Sequence, residues 1–402
     1  MKKDSLKTWI KSGSPWVWMN AGAVAIAVIM TLGLLAVIAV RGLEHFWPDD
    51  VIVADYQVPG SQPRVMAGEV VQAEEVPRAR LAASGLPVDV EGGEFMTREL
   101  LKVGNREVYG ADFSWVVGEW LSNQRKPADL VALERREWGN FYGELLNVKE
   151  GGQLVAEGDA AWPELQKRID RIDSLHAGIA KLEKVDIGRI NHGLERLRLK
   201  TRKLELDDKL DAAAQAELDA ERAQWDAEYK ALESELVALY TGFNRDSITM
   251  RTMDGQEKEI SLGKIVRAYR PNAMSTLDKL GFYFAKVWEF VSDEPREANT
   301  EGGIFPAIFG TVLMTIIMAV IVTPFGVIAA VYLREYAKQG LLTRIIRIAV
   351  NNLAGVPSIV YGVFGLGFFV YVLGGSLDQI FYPEAAPAPV FGTPGLVWAS
   401  LT

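Results

Sequence analysis

The sequence predicts an α-helical polytopic membrane protein with three complete spans, the start of a fourth, and an α+β domain inserted between the first and second. Three observations predict it. Stretches without a charged side chain recur three times, basic residues cluster at alternate ends of those stretches, and residues 42–301 combine a helical apolar periodicity with short strand-like pieces on either side.

Averaged over the chain, 49% hydrophobic and 24% charged residues would fit an ordinary soluble protein. The average conceals two kinds of sequence. From Trp16 to Val40 there are 25 residues with no charge and only Asn20 and Thr31 as polar side chains, enough helix to cross a hydrocarbon core of about 30 Å. A second uncharged run extends from Gly302 to Leu333 and a third from Ile348 to Leu377. Leu396 to Leu401 is apolar again and starts a fourth. A cleaved leader is disfavoured, because its apolar core would be shorter and followed by a small-x-small site, whereas this run ends at Arg41-Gly42-Leu43-Glu44.

Charge sets the expected orientation, since basic residues of short loops stay on the cytoplasmic side. Lys2, Lys3, Lys7 and Lys11 precede the first run against one acid, Asp4. The loop after the second run carries Arg334, Lys338, Arg344 and Arg347 against Glu335, and the loop after the third has Asp378 and Glu384 with no base. The expected division is therefore a cytoplasmic segment 1–15, a span 16–40 and a periplasmic domain 41–301. In the part 302–402, spans run at about 304–333 and 353–374 with a fourth from about 396.

The insertion holds 34 basic and 48 acidic residues over 42–301, net −14, a solvated or partner-docking surface and a poor attractor for nucleic acid or free anions. With no cysteine, its stability comes from packing. Leu165, Ile169, Ile172, Leu175, Ile179 and Leu182 step by three and four, and the pattern resumes at Ile190, Leu194, Leu197, Thr201 and Leu204. Gly188 and Gly193 predict a bend or short break between them. Leu218, Trp225, Tyr229, Leu232, Leu236 and Leu239 form a second stretch. Joined around Asp207 to Asp211, the two read as an antiparallel coiled-coil hairpin over about 160–241, separable because its seam is satisfied internally, with a compact helical bundle as the alternative. Strand-like pieces flank it at Arg64 to Val71, Arg106 to Val116 and Ser247 to Arg270. A three-residue turn at Met253 to Gly255, with Gly255 left-handed, would set Ile248 opposite Ile260 on one face.

The later spans carry more than an anchor requires. Ala307, Thr311, Thr315, Ala319 and Thr323 recur every four residues, as do Ala354, Ser358 and Gly362, rows that let helices approach closely. Pro324, Gly326 and Gly355-Val356-Pro357 interrupt the helices, which neighbouring protein or a water-filled cavity can satisfy. The chain has neither a phosphate-binding G-x-x-x-x-G-K-[S/T] loop nor H-E-x-x-H around its three histidines, His45, His176 and His192. No catalytic, cofactor or metal set is expected.

Gly302-Gly303-Ile304-Phe305-Pro306-Ala307-Ile308-Phe309-Gly310-Thr311, Tyr332-Leu333-Arg334-Glu335-Tyr336 and Asn352-Leu353-Ala354-Gly355-Val356-Pro357-Ser358-Ile359-Val360-Tyr361-Gly362 closely resemble the PstA family, permease subunits of the phosphate ABC importer. The resemblance is specific over about 300–375, and the long insertion resembles the enlarged members of some Gram-negative bacteria. It implies a type I importer in the inner membrane, with a PstC-like second permease, a PstB-like ATPase dimer, a PstS-like periplasmic phosphate-binding protein, and no enzyme activity on this chain. It also implies six spans and a coupling loop between the fourth and fifth, so the chain is expected to be C-terminally truncated. Family-signature and packing positions are then Pro306, Gly310, Thr311, Pro324, Gly355, Pro357, Ser358 and Gly362, with Arg334, Glu335, Arg344 and Arg347 setting topology or contacting the cytoplasmic partner. An FtsX-like mechanotransmission subunit and a receptor with an outer sensor domain are the other readings. The third run, so soon after the second, disfavours the receptor.

Overall fold

The computed structural model describes residues 9, 12–89, 93–296, 301–353 and 355–402; Lys2, Lys3, Lys7, Lys11 and Ala354 lie outside this set. Among the described residues three helices are long and apolar enough to cross a membrane, Ser14–Glu44, Phe305–Tyr336 and Ser358–Phe381. The first starts where Gly13 adopts φ 78° and Pro15 occupies the first turn, a place where a missing N–H costs nothing. The third differs from the uncharged run that suggested it. Residues Leu341–Leu353 form a separate helix, and the spanning helix begins only after Pro357, because proline disfavours helical geometry at the residue before it.

The chain divides into two compact units. In the first, strands β1 (Val51–Tyr56), β2 (Arg64–Pro77), β3 (Phe95–Lys102), β4 (Phe113–Val117) and β5 (Leu121–Arg125) form an antiparallel sheet ordered β4-β3-β2-β1-β5. Val51 to Ala54 are all buried, as in a strand covered on both faces. The core gathers Ile52, Ala54, Tyr56, Leu101, Val103, Val116 and Leu121. The strand expected from Arg106 starts later, since Arg106–Tyr109 is a helical turn bounded by left-handed Asn105 and Gly110. Asn105 works like a strand edge: its Oδ1 accepts from Tyr142 N at 2.7 Å and its Nδ2 donates to Tyr142 O at 3.0 Å. Asn272 does the same for Val51 at 2.9 Å in both directions, so buried backbone groups stay paired.

A six-stranded sheet, most of whose residues lie in the second unit, uses β6 (Val131–Arg135), β7 (Phe141–Glu150), β8 (Gln153–Glu157), β9 (Asp246–Arg251), β10 (Glu257–Ser261) and β11 (Ile265–Tyr269), ordered β10-β9-β7-β6-β11 with β8 on β7. Ile248 pairs with Ile260, and the turn closes through Thr252 N to Gln256 O at 2.8 Å, leaving a three-residue loop with Gly255 at φ 93°. This is the register that keeps both isoleucines on the buried face. Because β8 and β9 both join β7, the helices between them are an insertion into one sheet.

Those helices run out through Ala161–Lys181 and Ile187–Leu206 and return through Ala212–Phe243. Lys200 meets Glu217 at 3.3 Å, Arg189 meets Glu228, and Tyr240 donates to Glu183 at 2.8 Å, so the two arms are antiparallel. The irregularity falls before the glycines, in a π-helical turn at Leu182–Asp186. Gly188 and Gly193 are helical. Gly193 serves contact instead: a Cβ there would lie 2.6 Å from the Trp225 ring, so the indole seats against bare backbone. Tyr229, placed in the seam by its spacing, is exposed. The first turns are no separable accessory. Leu165 and Ile172 are fully buried, Gln166 donates to Ala268 O, and Arg168 is tied to Glu150 of β7 and Asp246 of β9 at 2.8 Å each.

Candidate functional site

The apolar helices of the second unit form the candidate site. From Phe305 the chain runs helically to Val331 with Pro306 in the first turn, passes Pro324 without stopping, and ends in a π-helical turn at Tyr332–Tyr336. Thr311 and Thr315 return their hydroxyls to the carbonyls of Ala307 and Thr311 at 2.8 Å. Their polar groups are thus satisfied within the helix, and the small-residue row presents a smooth surface. Gly310 and Gly362 have open space where a Cβ would stand, room for a neighbouring helix.

Between the two spans lies the helix Leu341–Leu353, whose Leu341, Leu342, Ile345 and Ile348 are exposed. Arg347 reaches back to donate to Leu333 O at 3.1 Å, a cation on one of the last carbonyls of the preceding span, where the helix dipole favours it. Among the described residues Arg334 pairs with its neighbour Glu335 at 3.4 Å, and both are exposed. Gly355 and Val356 close a turn onto Asn352 O and Leu353 O, and Tyr361 Oη donates to Leu353 O at 2.7 Å. The structure therefore joins Pro357 and Ser358 to the end of the amphipathic helix, and joins Arg347 to the second span.

A cluster that the spacing did not reveal closes the other end. Asp378, in the last turn of the third span, accepts from Phe391 N at 2.8 Å and Gly392 N at 2.7 Å. Trp398 Nε1 donates to Phe391 O at 2.7 Å, and its ring stacks on Phe369 with centroids 6.0 Å apart. Ser400 is buried and donates to Leu396 O at 2.6 Å and Met314 O at 3.2 Å, so the final helix, Leu396–Leu401, sits against the second span. Gly365 and Gly374 permit this: Cβ atoms there would lie 2.1 Å from Thr402 Oγ1 and 2.3 Å from Phe391 O. One lone acid at the end of an apolar run was the available signal. Its partners, 13 and 14 residues on, were not legible.

Such an arrangement packs helices; among the described residues no group of three or more His, Asp or Glu is placed to hold a metal. No family model and no solved structure matches the chain. Curated relatives do. The phosphate transport system permease protein PstA 1 of Mycobacterium tuberculosis is 40% identical over 73 residues, 18% of this chain and 24% of the relative. The PstA of Pasteurella multocida is 39% identical over 122 residues, 26% of this chain and 44% of the relative. The PstC of Mesorhizobium japonicum is 31% identical over 137 residues, 34% and 38% of the two chains. The chain spans less than half the length of each of these relatives, and over that part it is similar to the phosphate transport permease proteins PstA and PstC.

Proposed function

We propose that this chain is a permease subunit of an inner-membrane ABC importer for inorganic phosphate. The observation that carries the reading is the run from Gly302 to Gly362, which resembles PstA in residue order and lies on the helices that pack the membrane half. The chain contributes part of the path. A separate ATPase supplies the motor, a second permease the other half, and a binding protein the anion affinity. Phosphate is an anion, and the −14 insertion would repel it, which favours delivery by a dedicated carrier. Arg347 is engaged with Leu333 O, so with Arg334 and Arg344 it serves the cytoplasmic surface and its contacts. Uptake of radiolabelled phosphate at low concentration, in cells with and without the complete gene, tests the reading. High-affinity uptake should be lost on deletion; uptake that persists unchanged would sink it.

On this reading the N-terminus is cytoplasmic and residues 41–301, including a coiled-coil hairpin, are periplasmic. The basic residues at 334–347 support the placement. So does the outbound helix Ile187–Leu206, which packs beside Pro383–Ala385 after the third span, as two segments on one side of a membrane can. In intact spheroplasts an impermeant maleimide should label Ser247→Cys and spare Gln339→Cys. Labelling in the opposite sense would reverse the topology.

A further inference from the structure

We infer that the helix Thr276–Ser292 is a membrane-surface anchor, lying in the lipid interface beside the point where the first span leaves the bilayer. Its sequence starts it firmly. Ser275 and Asp278 cap it reciprocally: Ser275 N donates to Asp278 Oδ2 at 3.0 Å, and Asp278 N to Ser275 Oγ at 3.3 Å, two otherwise orphaned donors satisfied together. Beyond the cap, the helix inverts the usual surface pattern. From Leu280 to Val291 the exposed positions are Leu280, Gly281, Phe284, Ala285, Trp288 and Val291, with Leu277 one turn earlier, and none is charged. Leu277 is 79%, Phe284 66% and Trp288 72% exposed. Apart from the exposed capping Asp278, the ionised side chains are the sheltered ones. Lys279 bonds Asp50 at 2.5 Å and Lys286 bonds Glu289 at 3.3 Å.

A soluble helix with its apolar stripe outward and its charges inward has no stabilising environment in water. The position of the helix identifies the occupant. Phe46 and Trp47, the second and third residues past the first span, pack on Phe290 and Tyr283 with ring centroids 5.0 and 6.2 Å apart. Asp50, three residues further, holds Lys279. The segment leaving the span therefore runs along the sheltered face, which puts the helix at the depth where that span ends. In sequence, the second span begins at Phe305, shortly after the helix finishes. A helix at that depth with Leu, Phe and Trp outward meets the headgroup and upper acyl region, where aromatic rings partition favourably and apolar faces bury about 5–10 Å deep.

The lack of native cysteine makes this directly testable. A fluorophore on Ala285→Cys, and independently on Gly281→Cys, where nothing beyond the adjoining helix backbone lies within 4 Å of the new Cβ, is compared with one on exposed Leu206→Cys of the helical hairpin. The chain is reconstituted in phosphatidylethanolamine/phosphatidylglycerol vesicles. Quenching by a lipid spin-labelled near its headgroup should be about threefold stronger at 281 and 285 than at 206, with iodide quenching reduced by a similar factor. Free access of iodide without lipid quenching overturns the inference. Shielding from both quenchers also overturns it, because protein rather than lipid would then cover the face.

Discussion

Replacing Asp246 by alanine is expected to loosen the attachment of the helical hairpin to its sheet by about 3 kcal/mol, the cost of leaving buried cations without their partner. Asp246 opens β9 and is fully buried. Its carboxylate receives Arg171 Nη1 at 2.7 Å and Arg245 Nε at 2.7 Å, and faces Arg168 Nη1 at 2.8 Å. Arg168 retains Glu150 and Glu164 at 2.8 Å, and Arg171 and Arg245 can turn to water, which places the cost at the low end of the range for a broken buried pair. Amide hydrogen exchange at Ile248 to Met250 should quicken on the order of 100-fold; a change under about threefold would show that the ion cluster is dispensable. Burial by itself would raise the Asp246 carboxyl, but the bonds from Arg245 and Arg168 outweigh it and hold the carboxyl below its ordinary value. A carboxylate lowered on folding stabilises fully above its unfolded pKa, about 3.9, and that stabilisation fades as the pH falls through the folded value. The same amides should therefore lose protection below about pH 4 in the parent chain, and that loss should be smaller in Asp246→Ala, where Glu259, held low by Lys149 and Ser247, still titrates.

Gly374→Ala is expected to displace the final helix. Its methyl would sit 2.3 Å from Phe391 O and 3.0 Å from Gly392 N, backbone atoms that no rotamer change can clear. The segment must move, which lengthens the two bonds to Asp378 and the bond from Trp398. Overpacking and weakened charge-assisted bonds together cost about 3 kcal/mol. Ser400→Cys reports the displacement, because Ser400 is 2% exposed against the second span. In detergent, maleimide labelling at that position should rise on the order of 100-fold in the Gly374→Ala background. Equal rates would mean that the 391–392 segment has enough slack to absorb the methyl. Gly310→Ala, with open space at its Cβ, serves as the control and should leave labelling unchanged.

The apolar runs at 16–40 and 302–333 were legible because crossing a membrane depends on composition summed along one helix, with no partner required. The Ile248–Ile260 register was equally local, since turn chemistry and alternation settle it within fifteen residues. Periodicity likewise showed two apolar helical arms, because a seam of three- and four-residue steps is a property of each helix alone. Asn105 beside Tyr142, Asn272 beside Val51, Trp225 on Gly193 and Asp246 among three arginines were not legible, since each joins residues whose separation in sequence carries no periodic trace. The helix Thr276–Ser292 shows the division most clearly. Its sequence determined the Ser275–Asp278 cap and a helix with apolar residues all round, Phe282, Tyr283 and Phe290 as well as Leu277, Phe284 and Trp288. Only the tertiary structure decided which of these faces meets Phe46 and Trp47 and which stays open, because two apolar faces compete equally until the neighbouring chain buries one.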